Sequence, residues 1–312
     1  MLVILLHLNN INEELFQYSS SFLFHIRYLF IMKIIISGYK GFIGSNLTKR
    51  LSNHTIIGID LKDGNDVLNS EYVDGLFESN DINAVIHLAA IPGVGYSIEH
   101  SEEVLHNNII GFDVLAKAAI KHNVKHFIYA SSSSVYGDDG TQKSPYAVSK
   151  ATNELQAAMY SNLSDMKFTG LRFFTVYGEG IREDLAISKF IKAMKTNAPI
   201  HVYGDGTQSR DFTYVDDICE AIKLILESDK EWKNEVFDIG YGKSITVNEL
   251  IDILKGIINP TFDKVVYEGE KSYDVKTTLA SPNKLYEWFG FRPKYSIKEG
   301  LTDWMNKDKR LK

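Results

Sequence analysis

The chain of 312 residues contains a single cysteine, Cys219, and six prolines. One thiol excludes an internal disulfide framework and any cysteine-cluster metal site. It fits a reducing, cytoplasmic compartment. Cys219 sits in Asp217-Ile218-Cys219-Glu220-Ala221-Ile222, a helical pattern, and reads as a packing residue. No apolar run approaches the roughly 18 residues of a transmembrane segment. Lysine and arginine are scattered and the net charge is -6, so the basic stripe of a nucleic-acid binder is missing. The histidines show no metal-ligand spacing, so no metal site is expected. Internal repeats and low-complexity segments are absent as well. What is present is ordinary for a soluble globular protein: 44% hydrophobic and 24% charged residues. The length suits one large domain or one and a half smaller ones, with a core that needs no staples.

The first 31 residues differ in texture. Leu2–Leu6 and Phe22–Ile31 are apolar, split by Asn9, Asn10, Asn12, Glu13 and Glu14, and the second run contains His25 and Arg27. A charged leader and a small-residue cleavage site are both missing. Met32-Lys33 then opens a clean strand, so Met32 is expected to be the natural start and residues 1–31 an upstream extension. The alternative is a short amphipathic helix lying on a membrane surface or a partner.

From Met32 short β-branched runs alternate with longer amphipathic ones. Strands are expected at 33–37, 55–59, 84–88 and 126–130, and helices at 42–51, about 102–122 and about 145–161. Continuous apolar strands flanked by helices indicate a parallel sheet covered on both faces. Right-handed crossovers then make it α/β, a doubly wound Rossmann sheet. Beyond about residue 175 elements shorten, and Pro199, Pro260, Pro282 and Pro293 all fall there. The expected division is a dinucleotide-binding domain over 32–175 and a smaller substrate-binding lobe mainly over 176–312, interleaved with it.

Gly38-Tyr39-Lys40-Gly41-Phe42-Ile43-Gly44 follows the first strand and opens a helix. Gly38 permits the tight turn, Gly41 lets a pyrophosphate approach the backbone, and Gly44 lets helix pack on strand. The helix N-terminus favours the phosphate charge. Asp60 ends the second strand about 20 residues on, where a carboxylate accepts an adenosine ribose hydroxyl and repels a 2′-phosphate. That selects NAD over NADP. Asp66 and Val67 are placed to meet adenine.

Tyr146-Ala147-Val148-Ser149-Lys150 puts Tyr146 and Lys150 on one helical face. A lysine charge lowers a neighbouring tyrosine pKa, and a tyrosinate so tuned takes a proton from a sugar hydroxyl. Upstream, Ser131-Ser132-Ser133-Ser134 lies at the C-terminal edge of a central strand, where open α/β sheets place ligands.

Taken together, Gly38–Gly44, Asp60, His87–Ala90, Asn108–Gly111, Ser131–Gly137, Tyr146–Lys150, Arg172–Gly178 and Arg210–Asp217 resemble the extended short-chain dehydrogenase/reductase family, in its nucleotide-sugar epimerase branch. The wording Ala-Ser-Ser-Ser-Ser-Val-Tyr-Gly and Arg-Phe-Phe-Thr-Val-Tyr-Gly is nearest to UDP-glucuronate 4-epimerases. The resemblance runs from Met32 to about residue 305. It implies an NAD-dependent 4-epimerase acting on UDP-glucuronate, UDP-glucose or UDP-N-acetylglucosamine. Tyr146 would be the base, Lys150 its activator and a nicotinamide-ribose ligand, and Ser132 the hydroxyl that assists at O4. Leu88, Ala89, Ala90, Asn108 and Phe173 would line the cofactor. Ser133, Ser134, Thr175, Tyr203, Arg210, Lys271 and Asp274 would meet the nucleotide sugar, with Arg210 on the diphosphate. A homodimer through the helices around 102–122 and 146–161 is implied too.

Related 4,6-dehydratases carry a Thr-Asp-Glu set where this chain has Ser132-Ser133-Ser134, which removes the acid and base for eliminating water. Other departures are a connection of only seven residues from Asp138 to Ser144, and Lys271-Ser272-Tyr273-Asp274 in place of Arg-Pro-Gly-Asp or Glu. Thr175 replaces the Asn of many epimerases, as it does in the glucuronate branch, and Thr278 falls near the sugar C2 pocket. Alternative readings are a related dehydratase or reductase, or a non-catalytic NAD-binding regulator on the same fold. The intact Ser132, Tyr146 and Lys150 set argues against the last.

Overall fold

The computed structural model describes residues 31–137, 139–271 and 274–308. The expectations for residues 1–30 lie outside the described residues. Eleven strands are described: β1 (Lys33–Ser37), β2 (Thr55–Ile59), β3 (Ala84–His87), β4 (His126–Ser132), β5 (Lys167–Phe173), β6 (Thr175–Tyr177), β7 (Ile200–Tyr203), β8 (Ser209–Tyr214), β9 (Asn234–Ile239), β10 (Ser244–Thr246) and β11 (Val265–Glu268). The helices are α1 (Phe42–Arg50), α2 (Ser70–Glu78), α3 (Val94–Glu99), α4 (Ser101–Lys121), α5 (Pro145–Leu163), α6 (Ala186–Thr196), α7 (Val215–Leu226), α8 (Val247–Ile258), α9 (Asn283–Phe289) and α10 (Ile297–Lys307).

Ile34, Ile35 and Ile36 are fully buried in β1 because the strand lies inside a sheet covered on both faces. That sheet has the order β2-β1-β3-β4-β5-β9, and all its pairs are parallel. The order turns back between β1 and β3, which is the switch point where such sheets open a crevice. Apolar side chains of opposite parity feed two cores: Ile34 and Ile36 face one, Ile35 the other. On the second face α4 packs against α2 and α5. The expected strands and helices are present to within a residue or two at their ends. Thus β4 runs on through Ser131 and Ser132.

The later chain does not form a separate sequence block. β9 returns to the large sheet beside β5, while β10-β8-β6 and β11-β7 make two small sheets. Asp211, fully buried on β8, ties these parts together. Its carboxylate accepts the N–H groups of Tyr241, Gly242 and Ala280 at 2.8, 2.8 and 3.2 Å. No helix among the described residues is long and apolar enough to cross a membrane.

Candidate active site

The turn after β1 is shaped for a diphosphate. Gly38 has φ +74, and a Cβ there would lie 2.8 Å from the Ala89 nitrogen. A Cβ on Gly44 would come within 2.2 Å of the Gly38 carbonyl oxygen, so only glycine lets α1 seat against the turn. Gly41 is the N-cap of α1 and no side chain caps it, which leaves the first helical N–H groups around Phe42 and Ile43 to an anion. These features fit a dinucleotide.

Asp60 follows β2 and faces this turn. Its carboxylate accepts the N–H groups of Lys40 and Lys62, each at 3.0 Å. It is therefore both a loop cap and a candidate ribose ligand, since a carboxylate has lone pairs to spare. Asp66 accepts the Leu68 N–H, and Val67 is buried against Gly111. On the other side, the strand-end backbone at Leu88 and Ala89 hangs on Ser37, with Ala90 next along the chain. The Ser37 carbonyl accepts the Leu88 N–H, and its hydroxyl contacts the Ala89 N–H and the His87 ring. His87 is thus a buried structural residue, and burial pulls its pKa down to about 3. Asn108 is buried with its side chain committed to the Ile91 backbone and the Ser149 hydroxyl. It holds the 88–91 loop in place, and Phe173 is buried at the end of β5.

The catalytic candidates converge at the C-terminal ends of β4 and β5. Ser144 caps α5 and Pro145 starts it, which fixes where Tyr146 and Lys150 emerge. Lys150 is buried, donates to the Ala130 carbonyl at 2.8 Å, and lies 5.9 Å from the Tyr146 ring centroid. Burial pulls its ammonium down to about 8. The Ser132 hydroxyl accepts both the N–H (3.2 Å) and the O–H (3.0 Å) of Ser134, which leaves its own proton to donate toward Tyr146. Burial raises the Tyr146 pKa, while the Ser132 hydrogen bond and the Arg182 charge pull it down.

Ser133 lies in the same turn, which the short connection braces. Gln142 donates to the Val135 carbonyl at 2.9 Å, and a Cβ on Gly137 (φ +57) would collide with the Thr141 carbonyl at 1.9 Å. Asp139 caps Thr141 and pairs with Lys143. Asp138 lies outside the described residues. Thr175 opens β6 beside Phe212. Further out, Lys271 sits 3.7 Å over the Tyr203 ring, and Arg210 lies 3.8 Å from Asp274. Those four substrate candidates form two neighbouring pairs, while Asp211 turns inward instead of pairing with Arg210. Ser272 and Tyr273 of the same segment lie outside the described residues. Thr278 contacts the Asp211 N–H through its hydroxyl.

Sequence reasoning missed two features. Arg182, after β6, reaches the Pro92 carbonyl (3.3 Å), pairs with Asp184, and places its charge near Tyr146. Its only sequence signal is a charged Arg-Glu-Asp run after two glycines. Behind the serines, Glu154 accepts Ser131 at 2.5 Å and grips Arg172 through two bonds of 2.8 and 2.6 Å. Arg172 then donates to Tyr136 (2.6 Å), which donates to Asp238 (2.7 Å). Nothing local marks Glu154, which lies one turn past Lys150 on α5.

A parallel switch-point sheet, a glycine turn that fits a diphosphate and a Tyr-Ser pair gathered beside the buried Lys150 define a dinucleotide-dependent enzyme of the Rossmann class. The model of the NAD dependent epimerase/dehydratase family matches residues 34–240, and the chain belongs to that family. It is NAD-dependent. A UDP-glucuronate 4-epimerase of Thermodesulfobacterium geofontis is 36% identical over 77% of this chain and 77% of its own. The structure of UDP-glucuronic acid 4-epimerase from Bacillus cereus, in complex with UDP-glucuronic acid and NAD, is 31% identical with a TM-score of 0.84, covering 90% of this chain and 100% of that one. The UDP-glucose 4-epimerase of Thermotoga maritima, with UDP-glucose, is 29% identical with a TM-score of 0.83, covering 88% of this chain and 98% of the other.

Proposed function

We propose that the protein is a UDP-sugar 4-epimerase with UDP-glucuronate as its substrate. The observation that carries this reading is the convergence of Ser132, Tyr146 and Lys150 beside the glycine turn, with the Arg182 guanidinium close to Tyr146. Tyr146 takes the proton of the sugar O4, Ser132 donates to that oxygen, and Lys150 holds the tyrosinate and the nicotinamide ribose. Bound NAD would supply a reversible hydride acceptor at C4, so that a keto sugar free to turn over would come back with C4 inverted and no net redox change. Arg182 offers a cation where the C5 carboxylate of a glucuronate would sit, in exchange for Asp184. The serine turn holds no Asp or Glu of its own, and the nearby Glu154 is taken by Arg172, which weighs against a dehydratase.

Gly38, Gly41, Gly44, Asp60 and the 88–90 backbone would hold the cofactor. Arg210, Lys271, Asp274 and Tyr203 would hold the nucleotide, in a lobe built mainly from residues 176–312. We further propose a cytoplasmic homodimer that supplies sugars for polysaccharide biosynthesis. Its interface would be the apolar face of α5, where Val148, Leu155, Met159 and Leu163 are exposed next to Ile110 of α4.

The test is incubation with UDP-glucuronate, UDP-glucose and UDP-N-acetylglucosamine without added cofactor, with products followed by NMR. Interconversion of UDP-glucuronate with its 4-epimer is expected. Tyr146→Phe should lower it about 10³-fold while NAD stays bound. Arg182→Met should raise KM for the glucuronate more than for UDP-glucose. Bound NAD with no turnover of any sugar would sink the epimerase reading.

A further inference from the structure

The turns after β1 and β2 are clasped together by charged side chains, of which only Asp60 has a proposed place at the cofactor. Asp60 takes the main-chain N–H of Lys40 on one oxygen and that of Lys62 on the other. The Lys62 ammonium donates to the Lys40 carbonyl at 2.9 Å. The Lys40 ammonium pairs with Asp63, which also accepts the Tyr39 hydroxyl at 2.5 Å. The Tyr39 ring is seated on β2, since a Cβ on Gly58 would overlap it at 2.4 Å. Two ammonium groups and two carboxylates therefore surround the rim of the groove where the ribose of the cofactor is proposed to lie.

NAD and NADP differ by one phosphate on that ribose. Asp60 repels it directly. A lysine carried by the glycine turn would attract it, and Lys40 is such a lysine, on a flexible stem that can be re-aimed. In this structure its charge is spent on Asp63. Asp63 itself is held by two donors, Lys40 first and Tyr39 second, which keep its carboxyl below the ordinary range and charged at neutral pH. We propose that Asp63 is a second determinant of cofactor choice: by holding the Lys40 ammonium it denies a 2′-phosphate its cation, so that NAD is preferred through Asp60 and Asp63 together. The inference rests on the proposed placement of the ribose at Asp60.

The experiment uses the holoenzyme, measuring by mass spectrometry how much bound NAD is displaced across a titration with NADP. Asp63→Asn is expected to lower the NADP concentration for half displacement roughly tenfold, the worth of one hydrogen bond to a charged group. The gain should shrink in high salt, because the patch is exposed. It should vanish in Lys40→Met/Asp63→Asn. Asp63→Ser serves if the asparagine variant folds poorly. An unchanged NADP requirement in folded Asp63 variants, or a gain that survives the loss of Lys40, overturns the proposal. Asp60→Ala separates the two levels. If it leaves NAD retention untouched, the ribose placement falls and the proposal with it. If it weakens NAD while Asp63→Asn changes nothing, the placement stands and the role of Asp63 falls alone.

Discussion

Lys150 keeps an ammonium group almost entirely out of water, with a carbonyl as its hydrogen-bond partner. Its folded pKa of about 8 lies below the ordinary 10.5. Between those values the unfolded chain holds the proton more tightly, so stability rises as pH climbs through the window. Below it, the folded protein carries the whole penalty, on the order of 3 kcal/mol. Lys150→Met removes that penalty and also the bond to Ala130, worth about 1 kcal/mol. The expected outcome is a cofactor-free protein with a higher Tm at pH 7 and turnover reduced about 10²-fold or more. Calorimetry beside the NMR assay checks both. A lower Tm would mean that the bond to Ala130 matters more than desolvation. At this scale the glycine turn, Asp60, Ser132, Tyr146 and Lys150 were legible because each needs its residue type at a fixed distance from a strand end. Arg182 was not, because its partner Tyr146 is brought near only by the fold.

The elements are held in register at the site by the pair Glu154–Arg172, which bolts α5 to β5 and, through Ser131 and Tyr136, to β4 and the serine turn. Both side chains are mostly withdrawn from solvent. Glu154→Gln leaves the Arg172 charge without its counter-ion, and a loss of roughly 2–3 kcal/mol is expected in urea denaturation. Turnover should fall with it while NAD is retained, because the serine turn loses its brace. Adding Arg172→Met should recover part of the stability, since an apolar pair is less costly than one orphaned charge. Additive losses would contradict this account. β1 and β3 were plain from their unbroken apolar runs, and α5 from its Ser-Pro start. The small sheets were not, since β6 and β10 have only three residues each and pair across long sequence separations.

For the molecule as a whole, two buried histidines add to its acid sensitivity. His87 and His126 are pushed below the ordinary value of 6.5 by burial. The unfolded chain therefore takes up protons first as pH falls. Stability present above 6.5 should be lost on acidification, at about 1.4 kcal/mol per pH unit for each histidine. Urea midpoints at pH 7.5, 6 and 5 measure the slope, which His126→Gln should reduce by about half. A flat profile would show that neither ring stays neutral. Assembly is testable at the same scale. Leu155 and Leu163 are 72% and 71% exposed on α5. In the proposed homodimer Leu155→Lys should shift the mass in light scattering from dimer toward monomer, and an unchanged mass would remove this face as the interface.

Strand and helix positions, the parallel Rossmann sheet, NAD as cofactor and the epimerase/dehydratase family were determined by the sequence alone, because periodicity and short motifs are local and survive without coordinates. Only the tertiary structure decided which charges meet. Crossovers bring Arg182 to Tyr146, Glu154 to Arg172, and Lys40 to Asp63. They turn Asp211 inward, leaving Arg210 near Asp274, and they partly withdraw Tyr146 from water, which raises the pKa of its hydroxyl. Electrostatics depends on distance and on access to water, and neither is written in the order of residues.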